Sequence, residues 1–535
     1  MFILIVVKTC TAYVTVSQRI TSMSVESFNK IPRGLRIGTG RVPNVWYFDV
    51  RYIQLEPPSH VVVLLQPESS LAHTAFVPVG QPQHLGFTFF PETAAEAAGE
   101  VAKALIHTFA SGTFKKNSSS STPYAPWSFT TDDRNLAREV GAELKRLGVT
   151  APELWDIKFV PRLRKQADAA FGPAFESIRA ARGFPSATFN APTGISFTNF
   201  KIAQWVEPKS SEIDAALAYC KRLADANPKE GGADFADLRK DIRIAIEVLP
   251  KRKSATVLSE ADAGNPRAAL EYSLRLQFGI QCTASRPLCR KYLIKAVLSE
   301  KADNTLKSIA HSLLIEWYSL NVFENGTYPN RYINAAAYST NEAIRLAAGV
   351  ASPVVLYFAK NTLDKLAEGN IEFRAQYKRI WAAKAKREQE MAEADSKAVL
   401  KRMKQPNRYM CATVGCPVMA DSGRMLSKCS GKCDADKKPS YCGKECQKAD
   451  WKNHKPFCRP GAACSVLVRP ERGPSASKDG AIEVPVRNPN GTTTFVSSST
   501  LDSETLKEMK AIVEAAGPFA SGGLGDAISM ERMMI

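Results

Sequence analysis

The eighteen residues YCGKECQKADWKNHKPFC, from Tyr441 to Cys458, concentrate metal-binding side chains in a short polar segment. Cys442 and Cys446 form one pair, and His454 and Cys458 form a second pair with the same three-residue gap. Such short gaps let both members of a pair reach one metal ion. Because the segment has few large apolar residues, bound metal would have to supply much of its folding free energy.

Four cysteines ahead of this stretch extend the pattern. They are Cys411 with Cys416, and Cys429 with Cys433. Eight ligands complete two tetrahedral zinc sites and leave no open position for a catalytic water. Clustering of cysteines in a chain without a convincing secretory signal favours metal binding over disulfides. The sequence therefore predicts two structural Zn²⁺ ions per chain and a free thiol at Cys464.

The second half of this segment resembles a MYND-type zinc finger. The resemblance rests on Tyr441, Cys442, Cys446, Gln447, Trp451, His454 and Cys458. It implies interleaved ligands, with Cys411, Cys416, Cys442 and Cys446 on one zinc and Cys429, Cys433, His454 and Cys458 on the other. The first half departs from the family, because its two gaps hold four and three residues in place of the usual two. The resemblance identifies a module and not the whole chain.

Gln447 and Trp451 indicate what such a finger could bind. An apolar platform beside an amide suits an extended peptide, since the ring packs on a side chain and the amide bonds a backbone. The resemblance implies Pro-containing peptide motifs as ligands. The alternative is that Trp451 only shields the metal thiolates. The finger would then be a zinc-stabilised structural domain with no binding partner.

The N-terminal region is predicted to be an α/β or α+β domain over residues 40–205, preceded by an extension over residues 1–39. Four apolar runs, VWYFDV, HVVVLL, TAFVPV and LGFTFF, each predict a strand. Thr93 and Glu96 form a capping box ahead of a helix, and Asp133 precedes another helix that ends at Gly148. The opening run MFILIVV is too short to span a bilayer.

The rest of the chain is predicted to complete a multidomain α+β protein. Residues 206–370 have helical periodicity throughout, and residues 260–320 weakly resemble Sel1 or tetratricopeptide repeats, which favours stacked helix pairs. Residues 371–404 are predicted to form a charged helical linker. The finger occupies residues 405–460, and the Pro-, Gly- and Ser-rich residues 461–535 are predicted to be a largely disordered tail.

Several functions are compatible with these features. The leading hypothesis is a non-enzymatic adaptor in the nucleus or cytoplasm, whose finger docks a Pro-containing peptide of a protein partner. One alternative is an enzyme with activity in the N-terminal domain. A second is a MYND-associated lysine methyltransferase, but the Asn-His-x-Cys motif of those enzymes is absent, and the histidine of Asn453-His454 is assigned to zinc. The net charge of +18 permits nucleic-acid binding, and no run is long enough for a membrane helix.

Overall fold

The computed structural model divides the chain into two compact units, residues 1–384 and 385–535. It describes residues 25–37, 42–69, 71–112, 124–181, 191–198, 200–202, 211–229, 235–319, 322–324, 330–368, 371–420, 426–466, 482–487, 493–498 and 503–515. The apolar opening run and most of the predicted N-terminal extension lie outside these ranges. Each unit has its own hydrophobic core, so each is described separately.

A mixed five-stranded sheet is the first layer of unit 1, with the strand order β5-β4-β3-β6-β7. The strands of this unit are β1 (Arg36–Ile37), β2 (Val42–Pro43), β3 (Val45–Ile53), β4 (Ser59–Gln66), β5 (Leu71–Val77), β6 (Ser128–Thr131), β7 (Lys158–Phe159), β8 (Phe200–Ile202) and β9 (Val322–Glu324). Strands β3, β4 and β5 form an antiparallel meander, and β6 joins β3 in parallel. Because both faces of β3 and β4 are covered, these strands are apolar almost throughout, as the run HVVVLL indicated.

Helices cover both faces of this sheet. The first three are α1 (Ala94–Ala110), α2 (Arg134–Arg146) and α3 (Leu163–Ala181). Trp46, Phe48 and Val50 pack in the main core with α1 and α2, while the intervening Tyr47 faces a small apolar cluster with α3. The predicted N-caps are confirmed, since the Thr93 side chain accepts from Glu96 N and that of Asp133 accepts from Leu136 N.

A buried ion-pair network fixes α3 on its face of the sheet. Arg51 on β3 donates through Nε to Asp49 at 2.9 Å and pairs through Nη1 with Asp168 of α3 at 2.8 Å. The Arg51 guanidinium also lies over the ring of Phe171, 4.8 Å from its centroid. Because the side chains of Arg51 and Asp49 are both buried, removing Arg51 would leave the Asp49 carboxylate without its cation, which typically costs about 3–5 kcal/mol.

The prediction of a strand at LGFTFF is wrong. Residues Gln83–Thr88 form a 3₁₀ helix, and the chain after it runs between the sheet and the helices of unit 1. Arg290 donates to the carbonyls of Phe87 and Thr88, and Arg331 donates to that of Pro91. These carbonyls therefore bond arginine side chains in place of a neighbouring strand.

Residues 87–92, here called the joint, connect the sheet to the helices. Phe90 lies edge-on to the rings of Trp317, Tyr318 and Tyr332 at centroid distances of 4.9–6.2 Å. Glu92 accepts from Arg286 Nε at 3.0 Å and from the Tyr332 hydroxyl at 2.8 Å. One core cluster therefore runs through both regions. The sheet and these helices lie within the same compact unit, residues 1–384.

The remaining helices of unit 1 pack largely as neighbouring pairs, in agreement with the predicted stacking of helix pairs. They are α4 (Glu212–Ala226), α5 (Phe235–Val248), α6 (Ser254–Asp262), α7 (Pro266–Phe278), α8 (Arg286–Leu298), α9 (Asn304–Ser319), α10 (Asn330–Leu346), α11 (Pro353–Phe358), α12 (Asp364–Ala367) and α13 (Ile371–Gln376). A π-helical turn, Ala359–Leu363, connects α11 to α12. Helix α14 (Lys378–Lys404) follows, and the boundary between the units falls within it.

Unit 2 contains the finger and parts of the tail. After α14 its elements are α15 (Pro406–Tyr409), β10 (Met419–Ala420), β11 (Ser427–Lys428), β12 (Ser440–Tyr441), α16 (Lys444–His454), β13 (Ile482–Arg487), β14 (Thr493–Ser498) and α17 (Ser503–Ala515). The described residues of the tail form β13, β14 and α17. These elements are ordered because Ile482, Val484 and Leu506 are buried in the core of the finger.

No helix among the described residues combines the length and apolar character needed to cross a membrane.

Two buried histidines make unit 1 sensitive to acid. Burial lowers the pKa of His311 on α9 to about 4 and lowers that of His60 on β4 well below its usual value. Since an unfolded histidine titrates near 6.5, the unfolded state binds more protons at lower pH. The stability contributed by the neutral rings is complete above about pH 6.5 and is lost as the pH falls towards 4.

We predict that His311→Gln makes the free energy of unfolding less dependent on pH. Between pH 7 and pH 5 the wild type should lose about 2 kcal/mol more than this variant, since only the wild type can protonate the unfolded side chain at position 311. Urea unfolding at both pH values measures the difference. The exposed His84 provides the control, because His84→Gln should keep the wild-type dependence. If the free energy of unfolding depended equally on pH in His311→Gln and in the wild type, His311 would not be a buried neutral side chain.

Candidate metal centre

Helix α16 and the strand before it position half of the candidate ligands. Cys442 precedes the helix, Cys446 lies in its first turn and His454 is its last residue. The Tyr441 hydroxyl, at the end of β12, donates to the buried carboxylate of Asp450 at 2.9 Å. This bond holds the helix against the β11–β12 hairpin, so the ligands before and after the helix keep a fixed separation.

The first group of ligands consists of Cys411, Cys416, Cys442 and Cys446, whose sulfur atoms all lie within 4.8 Å of one another. The Sγ of Cys442 lies 3.7 Å from that of Cys416 and 3.4 Å from that of Cys446, and Cys416 and Cys446 are 3.8 Å apart. Sulfur atoms on a tetrahedral zinc ion are about 3.8 Å apart, whereas a disulfide requires about 2.05 Å. The spacing therefore fits zinc.

The longer gap in the first cysteine pair is accommodated by a turn. Cys416 N donates to Thr413 O at 3.1 Å, and Gly415 has a φ of +84°. This left-handed conformation suits glycine and turns the chain so that Cys416 returns to the site. The four-residue gap thus still places Cys416 in the first group of ligands.

The second group consists of Cys429, Cys433, His454 and Cys458. Cys458 Sγ lies 3.8 Å from Cys429 Sγ and 3.9 Å from Cys433 Sγ, and His454 Nε2 lies 3.5 Å from Cys433 Sγ. The nitrogen is closer because a Zn–N bond is shorter than a Zn–S bond, which gives about 3.5 Å between such ligands on a tetrahedral ion. The Nδ1 of His454 bonds Ser465 Oγ at 3.0 Å, so Nε2 is the nitrogen that faces the metal position.

Gly431 shows how closely the chain wraps the second group. A β-carbon at this position would lie 2.2 Å from Cys458 Sγ and 3.4 Å from Cys429 Sγ. Gly431 N donates to Cys429 Sγ at 3.3 Å, a bond suited to a thiolate acceptor. The absence of a side chain therefore lets the backbone approach the ligand sulfurs directly.

The surroundings of the first group include residues from the tail. Lys507 of α17 places Nζ 3.8 Å from Cys442 Sγ and 3.9 Å from Cys446 Sγ. Burial alone would lower the pKa of Lys507, but the neighbouring cysteine sulfurs, with Cys416 contributing most, raise it above its usual value. A zinc ion with four thiolates has a net charge of −2, so an ammonium group here is electrostatically favourable.

The two groups correspond to the pairing that the resemblance implied. Together they contain the eight predicted ligands, and Cys464 belongs to neither group. Gln447 and Trp451 lie one turn apart on α16, with Gln447 partly buried and Trp451 45% exposed. Sequence reasoning missed Gly431, Ser465 and Lys507. The Gly within the Cys429–Cys433 gap was a visible signal, whereas Lys507 lies in a separate helix that no local pattern connects to the cysteines.

These observations define unit 2 as a structural zinc module with two interleaved tetrahedral sites. The model of the MYND finger family matches residues 411–458, the range bounded by the first and last ligands. The chain thus carries a MYND finger. A search of curated proteins and a search of solved structures gave no match.

Zinc cross-links the first and second halves of the finger. Each site joins one cysteine pair of the first half of the finger to one ligand pair of the second half. Because thiolates are the binding form, the thiols release protons as the metal binds.

We predict two zinc ions per chain and unfolding of the finger on chelation. Removing the metal leaves seven cysteines and one histidine beside a small apolar core that includes three of the cysteine ligands themselves, so the finger should lose its structure. Unit 1 should remain folded because its core contains none of these ligands. Elemental analysis and circular dichroism with a chelator measure both effects. One zinc per chain, or loss of most helical signal, would contradict the prediction.

We predict that Gly431→Ala weakens the second zinc site. The added β-carbon would overlap Cys458 Sγ, so the sulfur or the loop must shift, and zinc affinity should fall roughly 10–100-fold. Competition with a chromophoric chelator measures the affinity of each site.

Gly443→Ala is the matched control for this change. Its φ of −169° is open to any residue, and a β-carbon there meets no atom within 4 Å. It should therefore retain both zinc ions with wild-type affinity. If Gly431→Ala behaved in the same way, the close approach of backbone and sulfur would be disproved.

Proposed function

We propose that this chain is a non-enzymatic adaptor whose MYND finger docks an extended, Pro-containing peptide of a protein partner. The MYND finger is a protein-interaction domain, which supports an adaptor role. The exposure of Trp451 is the observation that carries the peptide proposal. Both zinc sites have a full set of four protein ligands, so neither supplies the open position that metal catalysis requires.

Trp451 lies on a rigid support. Helix α16 is held through Cys446 near its start, His454 at its end and the Tyr441–Asp450 hydrogen bond between them. An aromatic side chain on such a support loses little conformational entropy when it binds, which is a property of binding hot spots.

Gln447 precedes Trp451 by four residues and therefore projects from the same face of α16. Its amide can donate and accept hydrogen bonds, which an extended peptide backbone offers in alternation. A proline in that peptide would pack on the indole ring without losing much entropy, because proline already restricts its own backbone. The pair thus recognises backbone and side chain together.

The shielding role of Trp451 is the competing explanation. Its ring lies 6.2 Å from that of His454, close enough to cover part of the second zinc site. However, 45% of the residue remains exposed to solvent. A residue that served only as a shield would bury more of its apolar surface, since exposing an indole ring to water is unfavourable.

We predict that Trp451→Ala loses peptide binding and keeps both zinc ions. Loss of an aromatic platform at a hot spot costs about 2 kcal/mol, which corresponds to a roughly thirtyfold weaker Kd. Fluorescence anisotropy with a panel of Pro-rich peptides measures affinity, and elemental analysis measures zinc. Cys442→Ser should lose zinc from the first site and the peptide together.

Tyr357→Ala is the control, because Tyr357 is an exposed aromatic residue of unit 1 outside the finger. It should bind the same peptides as tightly as the wild type. If Trp451→Ala keeps its zinc and binds every peptide normally, the docking proposal is wrong. If it loses zinc, Trp451 acts as a shield for the metal.

A further inference from the structure

The described tail residues form a layer on the finger. Strand β13 pairs antiparallel with β10, with Met419 opposite Glu483 and Ala420 opposite Ile482, and β14 pairs with the other edge of β13. The side chains of Ile482 and Val484 are buried in the finger core, as expected for alternate positions of a strand packed on one face. The tail thus extends the small sheet of the finger.

Helix α17 packs on β13 and β14 and reaches the first zinc site. Leu506 is fully buried in the finger core, and Ser503 Oγ donates to Cys442 O at 3.3 Å. Lys507, the next residue after Leu506, is the source of the ammonium group near Cys442 Sγ and Cys446 Sγ. We call β13, β14 and α17 together the C-terminal cover.

The two zinc sites differ in the origin of their surroundings. The described contacts to the second site come from Gly431, inside the finger, and from Ser465, soon after its last ligand. Contacts to the first site come from Thr413 and Val418 inside the finger and also from Ser503 and Lys507, which are 61 and 65 residues beyond Cys442. Among the described contacts, only those to the first site include a segment far beyond the last zinc ligand in the sequence.

We propose that the C-terminal cover controls metal exchange at the first zinc site, with Lys507 as the residue that stabilises its thiolates. In the closed form, the cover packs on the finger as it does in the structure. The Lys507 ammonium then offsets part of the −2 charge of zinc with its four thiolates, and it obstructs the approach of a metal acceptor to Cys442 and Cys446. In the open form the cover has left the finger and these sulfurs are accessible. Zinc can then pass to an acceptor whose ligand atoms are thiolate sulfur or nitrogen. The second site keeps its zinc in both forms.

This role follows from the chemistry of zinc thiolates. A thiolate is the reactive form of cysteine. Its intrinsic nucleophilicity decreases when a nearby cation or N–H donor stabilises the negative charge on the sulfur. Removing a hydrogen-bonding neighbour of a metal ligand typically changes metal affinity 10–100-fold. The cover is attached by the short β10–β13 pairing, by the buried side chains of Ile482, Val484 and Leu506, and by Ser503 and Lys507. Its release removes none of the eight zinc ligands.

Zinc transfer from the full-length protein to 4-(2-pyridylazo)resorcinol tests the proposal. Lys507→Met keeps the length of the side chain and removes its charge, and Leu506→Asp detaches the cover. In both variants we expect one of the two zinc ions to be transferred roughly 10–100-fold faster than in the wild type. After one equivalent has left, N-ethylmaleimide should label Cys442 and Cys446 and should leave Cys429 and Cys433 unlabelled.

Lys448→Met is the control, because Lys448 is an exposed lysine of α16 that pairs with Glu445 at 3.2 Å. It removes the same charge from the finger and should transfer zinc at wild-type rates. Wild-type rates in Lys507→Met and Leu506→Asp would overturn the proposal. So would acceleration at both sites, or a failure of Leu506→Asp to bind two zinc ions on reconstitution, since either result would make the tail part of the finger fold.

Discussion

The finger depends on a single electrostatic constraint, which is that four ionised ligands cannot share one small volume without a cation between them. The sulfurs of the first group lie 3.4–3.8 Å apart in the measured pairs, a distance at which like charges repel strongly. Zinc converts this repulsion into bonding. The turn at Gly415, the close approach of Gly431 and the tautomer of His454 all follow from the need to place each ligand atom around a metal ion.

This constraint also determines how the finger presents its surface. Helix α16 has eleven residues, and an isolated helix of that length is marginal in water. Its order comes from ligands near both ends and from Asp450 against Tyr441. The orientation of Trp451 is therefore a property of the bound metal as well as of the sequence. Binding of zinc should therefore favour binding of the proposed peptide, although the two ligands contact different atoms.

The sequence predicted the features that local chemistry determines. Ligand identities, the caps at Thr93 and Asp133 and the strands of the meander could be inferred because spacing and periodicity act within a few residues. LGFTFF was misjudged because its carbonyls bond Arg290, about two hundred residues away. Lys507 was missed because its contact with Cys442 also joins residues that are far apart in the sequence. A composition rich in Pro, Gly and Ser indicated disorder in the tail, but burial of Leu506 depends on a partner surface that composition does not describe. Domain boundaries and peptide contacts remain predictions.

The joint at residues 87–92 has a consequence for the order of events during synthesis. Glu92 reaches its hydroxyl partner on Tyr332 across 240 residues of chain. At usual rates of translation, roughly 10–50 s separate the emergence of these two residues from the ribosome. For most of that interval Phe90 lacks Trp317, Tyr318 and Tyr332, and Glu92 lacks Arg286, although Tyr52 and His60 are already available to pack on Phe90. The environment of the joint is therefore complete only after α10 has been made.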